Sequence, residues 1–350
     1  MVSPARQVAF DVLHKVSQGG YASDLLLKHT AALDPRDAGL ASEIVFGCLR
    51  YQAQLDHLIS CFVPRSLDPE IRLILRMGIY QLRYLDRIPP HAAVSESVEL
   101  AKRARKQSAS GLVNAVLRKV DRKPIAWPDQ ATQLSTPAWL IEKWIRQFGP
   151  ETTEKIATTF LQPVENYMAS TGRIQDISAQ SVVPYLDLHP GMTFLDLCAA
   201  PGNKTAQALQ HGVRAIACDI HWHRLKDLHE LDCPLVVLDA TEALPFRAQF
   251  DRILVDAPCS GTGTLGRNPE IKWRLQLSDL LQLHRKQVAL VRNAIQYLKP
   301  GGRLVYATCS LEEEENRLVT QAVPGHWQST ERLPGIDPGD GFFTAVLPSI

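Results

Sequence analysis

Two hydrophobic periods divide this chain. Over residues 1–122 the apolar positions recur at helical spacing: Ala9, Val12, Leu13 and Val16 follow i, i+3, i+4, i+7, and so do Ile71, Ile74, Leu75 and Gly78. Spacing of this kind gives each helix one apolar stripe and predicts an all-α domain. Asp34-Pro35 and Asp68-Pro69 read as helix starts. In each, a capping carboxylate precedes a proline at the first helical position, where the missing N–H leaves no bond unmade. Across 123–136 the period fades, and Pro124 and Pro128 mark a linker. Thr136-Pro137 then opens another helix, AWLIEKWIRQF, closed by Gly149, inside a short helical lead-in (137–172) to a second domain that runs to residue 350. Trp139 and Trp144 sit in that amphipathic helix and read as packing residues.

From Met192 onward short apolar strands alternate with helices. The strands are TFLDLCA, RAIACDI, PLVVLDA, FDRILVDAP and GRLVYATC, with HWQST and FFTAVL as a final antiparallel pair. Near-continuous apolar runs in β–α alternation predict a parallel sheet covered on both faces. Asp or Cys stands near the C-terminal ends of these strands, the edge at which open α/β sheets bind ligands. The run of four glutamates at 312–315 reads as the opening of a helix, where carboxylates favour the dipole.

Composition narrows the class. Charged residues make up 21% and hydrophobic residues 45%, which suits a folded chain with sizeable cores. No apolar run approaches the roughly 18–20 residues of a membrane helix, and no signal-peptide pattern opens the sequence. Seven cysteines without a C-x-x-C pair argue against a disulfide framework or a zinc site, and for a reducing, cytoplasmic setting. A monomer without metal is expected.

The net charge of +1 hides an asymmetry, because residues 1–150 hold 20 Lys and Arg against 14 Asp and Glu. Lys102, Arg103, Arg105, Lys106, Arg118, Lys119, Arg122 and Lys123 cluster around a single acid, Asp121. Such a cluster reads either as a solvated helix face or as a phosphate-binding patch for RNA.

Residues 195–209 (LDLCAAPGNKTAQAL) run strand, tight small-residue loop, helix. With one glycine and no G-K-[ST], the loop is neither a P-loop nor a dinucleotide fingerprint. The expected cofactor-binding residues are Cys198, Ala199, Ala200, Pro201, Gly202, Asn203 and Lys204, then Asp219 for ribose hydroxyls, Asp239 near an adenine edge, and Asp256. Together with Asp196, these acids favour a cation over a dinucleotide. S-adenosyl-L-methionine fits, having a ribose, an adenine and a sulfonium but no phosphate.

Cys259 and Cys309 each follow an apolar strand and precede a serine. Two thiols at one sheet edge suit a reaction in which carbon must be made nucleophilic. The segments FDRILVDAPCSG (250–261), LDLCAAPGNKT, GRNPEIKWR (266–274), YATCSLEEEEN (306–316) and DGFFTAVL (340–347) resemble, in order, the motifs of the Sun/NOP-type RNA cytosine-C5 methyltransferases. The likeness covers about residues 173–350. The helical domain, through LRMGIYQL and SGLVNAVLRKV, resembles the NusB-type RNA-binding domain of the bacterial 16S rRNA branch.

The resemblance implies a NusB-like helical domain ahead of a Rossmann-like methyltransferase domain. It also implies that Cys309 attacks cytosine C6, Cys259 assists product release, Asp256 hydrogen-bonds the cytosine edge and Lys204 stabilises the site electrostatically. A thiolate on C6 makes C5 electron-rich enough to take a methyl group, and covalent catalysis thereby splits one hard step into easier ones. Cys198 is read as lining the cofactor loop, and Cys48, Cys61, Cys218 and Cys233 as small buried apolar residues. Arg267, Lys272, Trp273 and Arg274 could grip an RNA strand. Trp273 reads equally well as a core residue.

Two departures stand out. Asn203 replaces a family glycine, and asparagine tolerates a left-handed backbone. The relatives also carry a larger subdomain between the helical domain and the core. The expected substrate is therefore RNA, with 16S rRNA ahead of tRNA; a noncatalytic RNA-binding or assembly factor would need neither thiol. An amino-methyltransferase is disfavoured, since D-A-P-C replaces the loop that would orient an exocyclic amine.

Overall fold

Asp34 and Asp68 cap helices as the sequence predicts. The Asp34 carboxylate accepts from the Arg36 N–H at 2.9 Å and that of Asp68 from the Glu70 N–H at 3.3 Å, starting helices Pro35–Arg50 and Pro69–Tyr84. The structure, a computed structural model, describes residues 2–348. It separates into two units: the chain up to Pro163 together with Gly266–Trp273, and Val164–Leu265 together with the chain from Arg274 onward. The all-α first domain and the α/β second domain expected from the sequence are both present.

In the first unit helices Pro4–Ser17, Ala22–Thr30, Gln52–Phe62, Pro90–Arg103 and Ser110–Leu117 join the two already named. Their apolar stripes meet in one core that includes Ala9, Val12, Leu13, Ile44, Ile71, Ile74, Leu75 and Val113. Gly78 holds an apolar position of the helical repeat because a Cβ there would lie 2.6 Å from Leu117 Cδ1; the small residue lets two helices approach closely.

Helices Ala138–Phe148 and Pro150–Thr159, expected as the lead-in of the second domain, cluster with this first unit. The first of them is capped by Pro137 rather than Thr136 and ends at Gly149, whose φ is +82°. Trp144 is fully buried with its ring centroid 6.1 Å from that of Phe160, so it packs as expected.

The segment Gly266–Trp273 belongs to this unit too, and two of the residues proposed to grip RNA have another use. Lys272 is 1% exposed and donates to the Arg50 carbonyl at 3.1 Å, while Trp273 Nε1 donates to the Leu49 carbonyl at 2.7 Å. These are last-turn carbonyls of helix Pro35–Arg50, which no partner within the helix can satisfy. Burial pushes the Lys272 ammonium down to about 7, with the nearby Arg50 adding to the effect. The basic cluster is also partly neutralised: Lys102 pairs with Glu99, Lys106 with Asp68, Arg122 with Asp86 and Lys123 with Asp121. Arg103, Arg105, Arg118 and Lys119 are exposed.

The second unit is built on a seven-stranded sheet: β1 (Thr193–Asp196), β2 (Arg214–Asp219), β3 (Leu235–Val237), β4 (Phe250–Asp256), β5 (Leu298–Thr308), β6 (Gln328–Arg332) and β7 (Phe342–Leu347). The spatial order is β3-β2-β1-β4-β5-β7-β6, parallel through β5, with β7 antiparallel to both β5 and β6. Alternate residues of the strands feed two apolar layers, Leu195, Ile253 and Leu304 on one face and Phe194, Leu254 and Val305 on the other. The chain winds outward from β1 through β3, then returns to the far side of β1 with β4. That reversal opens a crevice at the carboxyl ends of β1 and β4, where open α/β sheets place their ligands.

Candidate active site

Asp196 ends β1 fully buried. Its Oδ2 accepts from Thr205 Oγ1 at 2.7 Å, while Oδ1 is buried with no hydrogen-bond partner. Burial pushes this carboxyl up to about 7, against the opposing Thr205 hydrogen bond. The loop beyond is held by the Ala199 N–H on the Cys218 carbonyl at 2.8 Å. It turns at Gly202, whose φ of +93° is left-handed and whose missing Cβ would sit 2.6 Å from Leu228 Cγ. Asn203 has no left-handed role: it is the first residue of helix Asn203–Leu209, and its Nδ2 reaches the Ile174 carbonyl at 3.4 Å. The glycine that the turn requires is the one that is present.

Asp219 ends β2 and is 5% exposed. One oxygen accepts from the His221 N–H at 2.9 Å and the other from the Ala200 N–H at 3.4 Å, so the carboxylate is fixed against the cofactor loop. Asp239 differs. It is exposed, and its Oδ1 accepts from both the N–H and the hydroxyl of Thr241, at 2.9 and 2.6 Å. Those bonds hold it below the usual carboxylate range and make it the cap of its own turn. Ile220 (52% exposed) and Trp222 (60% exposed) follow Asp219, and sequence reasoning missed them. The available signal was two large apolar residues in an otherwise polar stretch just past a strand-end acid.

These groups suit a small cationic nucleoside. A buried acid with an unpartnered oxygen favours a cation, an oriented strand-end carboxylate can accept from a diol, and exposed apolar side chains can cover a purine face. Burial raises the Cys198 thiol well above its ordinary value, which fits a lining residue rather than a nucleophile.

Asp256 ends β4, and Lys204, from the helix after β1, reaches across to it. Lys204 Nζ lies 2.6 Å from Asp256 Oδ2 and 5.0 Å from the Phe342 ring centroid. Three residues past Asp256 stands Cys259; on the adjacent strand β5, Cys309 follows Thr308. The two Sγ atoms are 3.4 Å apart. The hydrogen bond to Cys309 raises the Cys259 thiol well above its ordinary value, burial adds to this, and the charges of Cys309 and Glu315 push the same way.

Glycines bring the two loops together. The Gly263 N–H donates to the Cys309 carbonyl at 2.9 Å, and Gly341 of the DGFF segment donates back to the Gly263 carbonyl at 2.8 Å. A Cβ on Gly263 would lie 2.3 Å from the Gly341 carbonyl oxygen. Beneath the thiols is Glu315, fully buried, accepting from the Ser260 N–H at 2.8 Å, from Gln287 Nε2 at 3.0 Å, and from the hydroxyls of Ser260 and Ser310. The four-glutamate run does not open a helix; the helix starts at Arg317, after the chain has turned to bury Glu312 and Glu315. Nothing in a run of identical acids announces which of them turn inward.

The structure thus brings Lys204, Asp256, Cys259 and Cys309 together and leaves Asp239 on its own turn. Cys48 and Cys218 are buried as expected. Cys61 is exposed, with its sulfur 3.7 Å from His57 Nε2. Among the described residues no cluster of His, Cys, Asp and Glu converges as a metal site would, and no helix is long and apolar enough to cross a membrane.

Comparison with known proteins gives two family matches. Residues 183–331 match the family described as 16S rRNA methyltransferase RsmB/F, and residues 3–122 match the NusB family. The chain is 32% identical to the ribosomal RNA small subunit methyltransferase B of Klebsiella pneumoniae (strain 342), covering 98% of this chain and 97% of that one. It is 31% identical to the probable ribosomal RNA small subunit methyltransferase B of Bacillus subtilis (strain 168), covering 91% and 87%. The Klebsiella alignment runs over 424 positions, more than the 350 residues present here, so that relative carries segments with no counterpart in this chain. Among solved structures, the crystal structure of PH0851 shares the fold with a TM-score of 0.80 at 20% identity, covering 99% of both chains.

Proposed function

Given that this chain belongs to the RsmB/F family of 16S rRNA methyltransferases and carries a NusB-family domain, we propose that it methylates C5 of a cytosine in 16S rRNA from S-adenosylmethionine, by covalent cysteine catalysis. The observation that carries the proposal is the pair of thiols 3.4 Å apart beside the Lys204–Asp256 ion pair. Transfer to oxygen or nitrogen needs no sulfur nucleophile. Transfer to an aromatic carbon does, because C5 becomes electron-rich only once a nucleophile has added to C6.

In this reading residues 1–122 are the RNA-binding domain, 123–136 the linker, and 137–350 the methyl-transferring part with its helical lead-in (137–172), whose first two helices cluster with the helical unit. The cofactor loop Cys198–Lys204, with Asp219, Asp239 and Asp256, holds S-adenosylmethionine, which when bound supplies an electrophilic methyl group. Asp219 takes the ribose hydroxyls and Ile220 lies against the purine. Asp239, whose Oδ1 is committed to Thr241, contributes an oxygen at the adenine edge.

Cys309 forms the bond to C6, and the C5–C6 π electrons move toward C5 while Asp256, held by Lys204, accepts hydrogen bonds from the cytosine edge. After C5 is methylated, its proton leaves to a base, the C6–S bond breaks and the double bond is restored. Cys259, protonated and adjacent, assists that departure by donating to the leaving sulfur.

Bisulfite sequencing of total RNA from cells with and without the gene tests the proposal. The expected result is one or a few cytosines in 16S rRNA that lose protection in the deletion. Loss confined to tRNA would reassign the substrate, and an unchanged pattern in all RNA would overturn the cytosine-C5 reading.

A further inference from the structure

The buried carboxylate beneath the thiols has no part in the chemistry just described, yet it touches the residues beside both of them. Glu315 Oε1 accepts from the Ser260 N–H and from Gln287 Nε2, and Oε2 accepts from the Ser260 and Ser310 hydroxyls. Ser260 follows Cys259, and Ser310 follows Cys309. Gln287, on helix Leu277–Gln296, also donates to the carbonyl of Pro258 at 3.0 Å, bracing the residue before Cys259. Four donors on two oxygens match the acceptor capacity of a carboxylate. The turn that delivers it is fixed by Asn316, whose Oδ1 accepts from Thr308 Oγ1 at 2.6 Å and whose Nδ2 donates to the Ser310 carbonyl at 2.8 Å.

We propose that Glu315 is a positioning residue of the two-thiol centre: through Ser260 and Ser310 it clamps the Cys259 and Cys309 loops together and sets a buried carboxylate beside the Cys259 thiol. The inference rests on reading the centre as the cytosine site. A buried carboxylate close to a thiol disfavours the thiolate. Glu315 acts on Cys259 in that sense, raising its thiol alongside Cys309. Other titratable groups around this cluster include Tyr306 on β5, Asp256 on β4, Cys198 after β1, buried Glu312, whose N–H donates to Ser310 Oγ at 3.0 Å, and His284 on helix Leu277–Gln296, with Lys204 paired to Asp256. Tyr306 donates its hydroxyl to the Glu315 main-chain carbonyl and so leaves the carboxylate to the serines.

Glu315→Gln keeps the size of the side chain. Its amide oxygen retains both N–H donors and its amide nitrogen can donate to the two hydroxyls, so the substitution removes charge while every bond remains satisfiable. The decisive measurement is the pH dependence of iodoacetamide alkylation of Cys259, read by peptide mass spectrometry in a Cys309→Ser background without RNA or cofactor. Removing a nearby anion favours the thiolate, so the profile should move down by about one pH unit, an approximately tenfold faster reaction at fixed pH below the midpoint. Exposed Cys61 is the internal reference and should not change. An unmoved Cys259 profile overturns the charge role.

Ser310→Ala supplies a second arm, since it cuts one leg of the clamp with the carboxylate in place. It should lower kcat about tenfold with KM for RNA unchanged and the Cys259 profile unmoved; wild-type kcat overturns the clamp. A shifted alkylation profile in a protein that methylates no cytosine would overturn the functional reading and leave the thiol assignment standing.

Discussion

Cys259 Sγ and Cys309 Sγ lie 3.4 Å apart at the carboxyl ends of adjacent parallel strands, β4 and β5. Asp256 pairs with Ala307 in that register, which brings Cys259, three residues on, beside Cys309, two residues on. Neighbouring thiols cannot both carry charge cheaply, and the proposed mechanism accordingly gives them different roles, one the nucleophile and one the proton donor.

Substituting the two cysteines should therefore give different phenotypes. Cys309→Ala is expected to abolish methylation while cofactor binding persists. Cys259→Ala should stall after methyl transfer and leave a covalent protein–RNA adduct, seen as a slow band on a denaturing gel. Adduct formation by the Cys309→Ala protein instead would reverse the roles.

Lys204→Met should reduce the methylation rate by about 10²-fold, the usual loss when one preorganised charged group is removed from a reacting site. Lys204 Nζ sits 2.6 Å from Asp256 Oδ2, so the two act as a unit. Asp256→Asn should cost a similar factor, and the double variant little more than either alone. Strict additivity in steady-state kinetics would show that the pair does not work together.

The Asp196 carboxyl, pushed up to about 7 by burial, should make affinity for a cationic cofactor pH-dependent. As pH falls through about 7 the carboxyl gains a proton and the cationic cofactor loses its counter-charge, so affinity should drop by up to about tenfold per unit. Stability moves the other way. With the folded value above the unfolded one of about 3.9, the contribution is full below about pH 4 and is lost as pH rises through about 7. Calorimetric titration of S-adenosylmethionine and melting of the free protein across pH should show the opposed trends, and Asp196→Asn should flatten both.

Gly263→Ala places a Cβ 2.3 Å from a backbone oxygen that no side-chain motion can relieve. The expected destabilisation is about 1–3 kcal/mol, read as a lower Tm. Because Gly263 also bonds the Cys309 carbonyl, activity should fall further than stability alone would explain.

Much of this protein is local in origin. A helical repeat such as Ala9, Val12, Leu13, Val16 states its buried face without reference to any other segment, as an aspartate before a proline states a helix start. The strand-end positions of Asp196, Asp219 and Asp256 and the two cysteine motifs were legible for the same reason, since side chains at a strand end follow from the strand. What was not legible depended on distant segments. Lys272 looks like a nucleic-acid contact, and Trp273 could be either that or a core residue, until the helix-end carbonyls of Leu49 and Arg50, more than 200 residues away, claim them.

Glu315 marks the boundary most clearly. Four consecutive glutamates are chemically the same, and the chain's own order assigns none of them a partner. Only when β4, β5 and helix Leu277–Gln296 are assembled do the donors of Ser260, Ser310 and Gln287 converge on one point. A carboxylate enters a protein interior only where such donors already wait for it, because the loss of hydration must be met by hydrogen bonds in place. Periodicity and strand ends are written along the chain, whereas the identity of a buried charge is settled by what the fold arranges around it.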